Sequence, residues 1–260
     1  RDVERSRGLG DVYKRQLFGI CALLSACMGE SGDVWKYGSQ AGVIRATSEK
    51  YIQLYSGDRV TSEILQEQTY KVGDCCMIDY KVNYGKPDSI EPGYYKVDVL
   101  KYEPVPRWDI QTTIDTTSVT PDESFLTLNW LKSLYVDGCL FIYPEYKRYY
   151  TSQRDSFRIF YDPEMEPEID ELTGKRCLHV YLRSTCKYDM TDTIYQSKIR
   201  LPQALDISEL VAQAKERGYV SGDSLNVRVS YPEYFLADSS AFGWRTSEAL
   251  TILLKGKKKS

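Results

Sequence analysis

The sequence predicts a mainly β protein, made of a small barrel followed by a β-sandwich that carries one short helix. Tyrosine is unusually frequent, at 22 of the 260 residues, and tyrosine together with Val, Ile and Thr favours pleated strands. Apolar and polar residues alternate in several short runs, which is the period of a half-buried strand. Gly, Pro and Asp separate these runs, as they do at turns.

The first β region is predicted over residues 39–103. A spacing typical of a hairpin joins the runs 41–47 and 50–55. Strict alternation follows at residues 76–84 and, after a turn, at residues 94–102. Four or five strands with no helical pattern indicate a small barrel or a curled sheet, because closure removes exposed strand edges.

A linker is predicted at residues 104–118. Pro104 and Pro106 lie one residue apart, and proline both disfavours a central strand and stiffens a connector. A second β region is predicted over residues 119–255, followed by a basic tail at 256–260. Strand spacing in this region favours a sandwich. Its clearest inward-facing rows are Leu178, Val180, Leu182 and Leu225, Val227, Val229.

One helix is predicted at residues 206–217. Asp206 and Glu209 form a capping-box pattern at its start, and Gly218 is a natural stop after its end. One apolar stripe runs along it, so we expect the helix to cover an open end of the sandwich. The residues of the stripe are Ile207, Leu210, Val211 and Ala214.

A short apolar run, residues 17–26, ends directly before Cys27 in the string Leu24-Ser25-Ala26-Cys27. It is shorter than the roughly 20 residues that a membrane span needs, but it suits the apolar region of a signal peptide. The cysteine after small residues predicts a lipoprotein processing site with Cys27 as the lipid attachment point. Residues 1–16 resemble a translated sequencing adapter, so residues 1–26 are interpreted as artefact plus signal segment and residues 27–38 as a tether.

Charge and cysteine usage limit the partners. A formal net charge of −3 gives no general attraction to nucleic acid, which is therefore not expected as a partner. Cys139, Cys177 and Cys186 could supply one disulfide, or the cysteines could stay buried and unpaired. The sequence contains no CxxC motif and predicts no redox or zinc motif. Pairing is left open among Cys75, Cys76, Cys139, Cys177 and Cys186.

No catalytic constellation is recognisable. The sole histidine, His179, is predicted to face away from the apolar row of its strand, and the chain has no GxSxG turn or phosphate loop. An acidic run at residues 162–171 indicates a stiff, solvated loop, with a loose calcium site as the alternative. We predict no catalytic residue, no metal ligand, no cofactor and no enzymatic activity; a carboxylate-based hydrolase of glycans is the alternative.

One segment mixes aromatic rings with cations, which is a combination that stacks sugars or bases or anchors a protein partner. An ordinary strand edge with its turn is the competing interpretation. The candidate binding residues in this segment are Tyr146, Arg148, Tyr149 and Tyr150.

The chain resembles the NigD-like lipoproteins of Bacteroidetes along nearly its whole mature length. Cys27 after LSA, the strings GDCCMIDYKVNYG and GYYKVDVLKYE, and the later strings SFLTLNWLKSLYVDG, CLHVYLRSTCKYD and DSLNVRVSYPEYF carry the resemblance. The resemblance implies an N-terminal OB-fold and a C-terminal β-sandwich. It also suggests an immunity-like role against a bacteriocin, and it supplies no catalytic residue.

These observations together predict a non-enzymatic protein anchored by lipid to the outer membrane, facing either the periplasm or the cell surface. Two β units of binding-module type, an anchor and the lack of a catalytic pattern lead to this prediction. Its expected partners are the membrane, through the lipid, and a protein or glycan ligand. A glycan hydrolase and a bacteriocin-immunity-like protein are the alternatives.

Overall fold

The protein is mainly β in a computed structural model, as predicted. The structure describes residues 33–85, 89–112, 119–128, 134–189, 191–238 and 240–254. Cys27, the signal segment and the basic tail lie outside these residues. No helix in the described part of the chain is both long and apolar enough to cross a membrane.

The first unit is one curled seven-stranded sheet in the order β5-β6-β3-β2-β1-β4-β7. Its strands are β1 (Val34–Ala46), β2 (Lys50–Leu54), β3 (Arg59–Thr61), β4 (Cys75–Asn83), β5 (Ser89–Glu91), β6 (Tyr94–Lys96) and β7 (Asp98–Val105). The predicted hairpin is confirmed, since β1 and β2 are antiparallel with Ile44 opposite Ile52. These two side chains lie in the unit's core with Val60, Ile78 and Val82.

Strand β1 begins inside the predicted tether. The tether was expected to reach residue 38, but Val34–Ala46 is a strand and Trp35 pairs with Val82 of β4. The register breaks between Tyr37 and Gln40, where Ser39 has a φ of 51°. A bulge of this kind bends a long strand and increases its twist, so one strand continues through a segment whose composition indicates a loop.

The predicted linker also forms strands where it is described. Pro104 lies in β7, which is the edge strand of the first sheet, so its missing N–H is not needed there. Pro106 falls between two strands, and its carbonyl accepts the Ala204 N–H at 2.9 Å. Arg107–Gln111 then forms β8, a central strand of the second unit that pairs in parallel with β17 and β13. The chain therefore passes directly from one sheet into the next.

The second unit has a large mixed sheet and a small sheet. The large sheet runs β10-β11-β17-β8-β13-β15-β18-β19, with β14 on β15 and β20 on β18; the small sheet runs β16-β12-β9. The bounds are β9 (Thr127–Leu128), β10 (Leu134–Val136), β11 (Cys139–Ile142), β12 (Pro144–Tyr150), β13 (Arg154–Tyr161), β14 (Glu168–Ile169), β15 (Arg176–Lys187), β16 (Ile194–Arg200), β17 (Gln203–Asp206), β18 (Ser224–Phe235), β19 (Phe242–Thr246) and β20 (Leu250–Leu253).

The main core lies between these two sheets, as in a sandwich. Leu128 and Tyr146 enter it from the small sheet, and the two inward rows predicted on β15 and β18 enter it from the large sheet. Strands β15 and β18 are parallel, with Val180 opposite Val229. Both predicted rows are confirmed because the side-chain alternation holds along each strand.

Helix α1 (Ser208–Glu216) is two residues shorter at its start than predicted. Asp206 ends β17 instead of capping the helix, and its carboxylate accepts hydrogen bonds from the backbone N–H of Ser208 at 3.0 Å and from the Ser208 hydroxyl at 2.6 Å. The predicted apolar stripe is buried against the main core through Leu210, Val211 and Ala214.

A third core, here called the junction core, joins the two units. It contains Ala41, Val43, Cys75, Met77 and Val105 from the first unit and Val136, Cys139, Phe141 and Ala204 from the second. At its edge Arg45 reaches Asp137, with Nε 2.5 Å from the carboxylate and Nη2 2.8 Å from the backbone carbonyl. The two units therefore share buried apolar surface and the Arg45–Asp137 ion pair.

Candidate functional site

The four predicted binding residues of the segment 146–150 do not lie on one surface. Tyr146 is buried in the main core, where its ring packs edge-on against Phe157 at a centroid distance of 5.6 Å. Arg148 lies 3.8 Å from the Asp155 carboxylate. Tyr150 stacks on Tyr188 at 4.5 Å. Because Tyr146 points inward, the four residues do not form one aromatic surface.

The clearest polar cluster lies on the side of the large sheet that faces away from the main core. His179 lies on that side, as predicted, and its Nε2 is 2.7 Å from the Ser230 hydroxyl. Ser230 also hydrogen-bonds to the Thr246 hydroxyl at 2.7 Å. The His179 ring stacks on Tyr181 at 4.7 Å. We call His179, Arg183, Arg228 and Ser230 the enclosed polar face.

The pairing of His179 with Ser230 has the residue types of a hydrolase but not its geometry. The carboxylate of Glu168 is 3.6 Å from His179 Nδ1, which is too long for a direct hydrogen bond. Ser230 is only 2% exposed, so a substrate carbonyl has no path to its hydroxyl. A nucleophile must reach the reacting carbon, and this arrangement therefore serves structure.

One buried and one partly buried ion pair hold the enclosed polar face. Arg183 donates two hydrogen bonds, of 2.8 and 2.9 Å, to the Glu123 carboxylate, and both side chains are shielded from water. Arg228 pairs with Asp170 from the predicted acidic loop. Hydrogen bonds from Thr173, helped by Arg228, lower the pKa of the Asp170 carboxyl to about 2.

The acidic loop thus directs one carboxylate inward. Two other carboxylates of this run reach other partners: Glu164 pairs with Arg217, and Glu166 accepts a hydrogen bond of 2.8 Å from the Tyr219 hydroxyl. Within the described ranges no group of three or more His, Cys, Asp or Glu side chains is placed to hold a metal ion.

An open groove lies between the small sheet and strands β18 to β20. Its volume is about 640 Å³, within the range of roughly 300–1,000 Å³ that ligand sites occupy. Apolar side chains and hydroxyl groups line it together. The lining residues are Thr127, Leu128, Arg200, Tyr231, Arg245, Thr246, Ser247, Glu248, Ala249, Leu250 and Thr251.

The charges of the groove are nearly balanced. Arg200 pairs with Glu145, and Arg245 pairs with Glu233. The side chains of Arg200 and Arg245 remain 48% and 57% exposed, so each guanidinium still offers N–H donors to a ligand. Glu248 adds an acceptor. The groove therefore suits a neutral, hydroxyl-rich ligand better than a strongly charged one.

Sequence reasoning missed this groove because its lining comes from four separate stretches of the chain. Thr127 and Leu128 come from β9, Arg200 ends β16, Tyr231 lies on β18, and residues 245–251 lead from β19 into β20. None of these stretches carries a motif by itself. Only the meeting of the two sheets brings them together.

The first unit matches a known domain family. The model of the lipoprotein OB domain matches residues 32–103, which include all seven strands of the first sheet except the last two residues of β7. None of the curated proteins matches the chain.

Solved structures share the two-unit fold. A protein from Parabacteroides merdae is 19% identical, with a TM-score of 0.69 over 84% of this chain and 99% of its own. A protein provisionally described as toxin-related, from Parabacteroides distasonis, is 13% identical with a TM-score of 0.54 over 87% and 96%. One provisionally described as a lipoprotein, from Bacteroides fragilis, is 11% identical with a TM-score of 0.53 over 85% and 98%.

At these identities the likeness concerns the fold alone, and the fold extends over most of each chain. The predicted OB-fold is confirmed for the first unit. Residues 32–103 of the first unit match the lipoprotein OB domain, and the predicted resemblance to the NigD-like lipoproteins of Bacteroidetes is confirmed.

Proposed function

We propose that the protein is a lipid-anchored, non-enzymatic protein of the outer membrane whose groove binds a segment of a neutral oligosaccharide. The lipoprotein OB domain and the string Leu24-Ser25-Ala26-Cys27 support the anchoring. The single observation that supports ligand binding is the groove of about 640 Å³ between the two sheets.

The lining of the groove supports a sugar ligand. A sugar ring offers many hydroxyl groups, which both donate and accept hydrogen bonds, and a weakly apolar face. Thr127, Ser247 and Thr251 supply hydroxyl groups, while Leu128 and Leu250 supply apolar surface. A few polar groups placed around an apolar base are typical of small-ligand sites.

The positions of the serine and carboxylate side chains favour binding without catalysis. Ser230 is shielded, and Asp170 is engaged by Arg228 and Thr173. The acid that borders the groove, Glu248, stands among hydroxyl groups and two paired arginines. A glycosidase needs two carboxyl groups flanking one bond, and Glu248 is the single carboxylate among the described lining residues.

Calorimetric titration with soluble neutral oligosaccharides, prepared from plant and bacterial polysaccharides, tests the binding. We expect at least one to bind, and Arg245→Ala to weaken it about tenfold, since a hydrogen bond to a charged group contributes about 1.5–3 kcal/mol. Ala249→Trp should abolish binding by filling the groove. Arg59→Ala is the matched control, because Arg59 forms a similar exposed pair with Glu91 away from the groove.

Binding of no oligosaccharide, or equal binding by the wild type and Ala249→Trp, would contradict the groove as a glycan site. The anchor is tested separately by metabolic labelling with a palmitate analogue and by fractionation of the membranes. We expect the wild type to be labelled and found in the outer membrane, and Cys27→Ser to be unlabelled and released. Membrane attachment of Cys27→Ser would contradict the anchor.

A further inference from the structure

The junction core brings two cysteines from different units together. Cys75 begins β4 of the first unit, and Cys139 begins β11 of the second. Each is 2% exposed, and both belong to the same buried cluster. Inside this cluster the two thiols influence each other directly, and the Cys75 thiol also lies 3.9 Å from the Gly73 carbonyl oxygen. Residues far apart in the chain thus bring two thiols close together at the boundary between the units.

Arg107 lies beside this pair of thiols. Val105, two residues earlier in the chain, pairs with Cys75 across β7 and β4. Asp206 pairs with Cys139 across β17 and β11, and its carboxylate holds the Arg107 guanidinium. Arg107 Nη1 also donates to the Gly73 carbonyl at 3.1 Å. A fixed cation therefore stands next to both sulfur atoms.

The two thiols are not equivalent. The hydrogen bond from Cys75 and the charge of Arg107 lower the pKa of the Cys139 thiol, while burial opposes them. The pKa of the Cys75 thiol is raised by its interaction with Cys139 and by burial. In thiol–disulfide exchange the thiolate is the attacking species.

The other described cysteines have different surroundings. Cys76 points to the opposite face of β4, into the core of the first unit, and its thiol lies 3.6 Å from the Gly42 carbonyl. Cys177 and Cys186 lie on one strand, β15, nine positions apart in the sequence, so they cannot reach each other. Among these cysteines only Cys75 and Cys139 have a thiol-to-thiol contact that links the two units.

We infer that Cys75 and Cys139 are a disulfide site that covalently joins the OB domain to the second unit. The oxidant is a disulfide of the cell envelope, either a protein disulfide or oxidised glutathione. The Cys139 thiolate attacks it, forms a mixed disulfide and releases one thiolate. The Cys75 sulfur, losing its proton, then attacks the Cys139 sulfur and displaces the second thiolate. Two electrons and two protons pass to the oxidant, which is reduced to two thiols.

Because both sulfurs are shielded once the junction core has closed, the attack on the external disulfide precedes closure. The attack of the Cys75 sulfur on the Cys139 sulfur follows as the core forms and brings the two together. In the cell the inference rests on the proposed envelope location, since disulfides persist in oxidising compartments. The test is therefore made with the purified full chain in a redox buffer, where location plays no part.

The full chain is reduced, unfolded and refolded in a mixture of oxidised and reduced glutathione, and remaining thiols are trapped with iodoacetamide. Peptide mass spectrometry is expected to recover a peptide pair joined through Cys75 and Cys139. Reduction should lower the melting temperature by roughly 5–15 °C. Cys139→Ala and Cys75→Ala should abolish both results, and Cys76→Ala is the matched control for a buried cysteine that leaves them intact.

Recovery of both Cys75 and Cys139 as alkylated thiols from refolded protein would overturn the inference. Equal melting temperatures before and after reduction would also overturn it. If the peptide pair forms in the buffer while fractionation finds the chain outside the envelope, the pairing stands and the proposed location fails.

Discussion

The enclosed polar face and the open groove are neighbours on strands β18 and β19, yet they differ in what they can do. Ser230 and its hydrogen-bonded neighbour His179 have the reactive residue types, but Ser230 is shielded and its partners are fixed. The groove beside them is open, with a volume of about 640 Å³. Thr246 borders both, since it lines the groove and hydrogen-bonds to Ser230.

In this protein the potentially reactive side chains and the surface that a ligand can reach lie in different places. Catalysis needs a reactive group that a substrate can reach. In this protein the reactive types are engaged in ion pairs and hydrogen bonds that hold the sheet, while the accessible surface offers hydroxyl groups, paired arginines and apolar side chains. A binding role therefore explains the arrangement better than a hydrolytic one.

The largest loss of stability is expected when the buried ion pair of the enclosed polar face is broken. Glu123→Ala removes the carboxylate that Arg183 grips, and loss of one partner of a buried ion pair costs about 3–5 kcal/mol. Urea unfolding should show this loss in the free energy of unfolding. Glu233→Ala is the control, because its partner Arg245 is 57% exposed, and it should cost less than about 1 kcal/mol. Similar losses in both variants would contradict the structural role of the buried pair.

Ser230→Ala tests the same face without disturbing a charge. It leaves His179 Nε2 and the Thr246 hydroxyl without a shared partner, so we expect a loss of about 1–2 kcal/mol in the free energy of unfolding. Affinity for any oligosaccharide that binds the wild type should change less than about twofold, because Ser230 does not line the groove. Loss of binding with unchanged stability would show that this hydroxyl contacts ligand.

Acid should lower the stability of the folded protein by protonating Asp170, the partner of Arg228 in the enclosed polar face. Its pKa is about 2 in the folded protein and 3.8 in an unperturbed carboxyl, so the folded state favours the carboxylate. This contribution to stability is complete above about pH 4 and is lost as the pH falls towards 2. The melting temperature of Asp170→Asn should therefore approach that of the wild type over this interval. A constant difference between the two from pH 5 to pH 2 would contradict the assignment.

The smallest effect on stability is expected in the groove. Arg245→Ala removes an exposed pair with Glu233, and such pairs contribute about 0–1 kcal/mol. We therefore expect an almost unchanged free energy of unfolding, in contrast to its tenfold effect on oligosaccharide binding. A loss of several kcal/mol in urea unfolding would assign Arg245 to structure and remove the contrast between face and groove.

Local patterns in the sequence predict the local structure. Strict alternation places Leu178, Val180 and Leu182 inward and His179 outward, because a strand turns successive side chains to opposite sides. The apolar stripe of the helix is predicted correctly for the same kind of reason. The start of this helix is not, since Asp206 is held in β17 by its pairing with Cys139 and by Arg107.

Features that depend on contacts between distant segments are not predicted. Pro104 and Pro106 indicate a linker, yet one falls on an edge strand and the other between strands, so β8 can enter the middle of the second sheet. The alternation around Tyr146 does not reveal that the small sheet turns this ring into the core. The groove and the Cys75–Cys139 contact arise only when the sheets meet.

The most direct experiment asks whether the groove binds a sugar and leaves it unchanged. The wild type and Ala249→Trp are incubated with a fluorescently labelled pool of neutral oligosaccharides. The molecular masses of the retained and the free sugars are then determined by mass spectrometry. We expect the wild type to retain intact oligosaccharides and Ala249→Trp to retain none. Shortened sugars produced by the wild type, or equal retention by both proteins, would contradict this expectation.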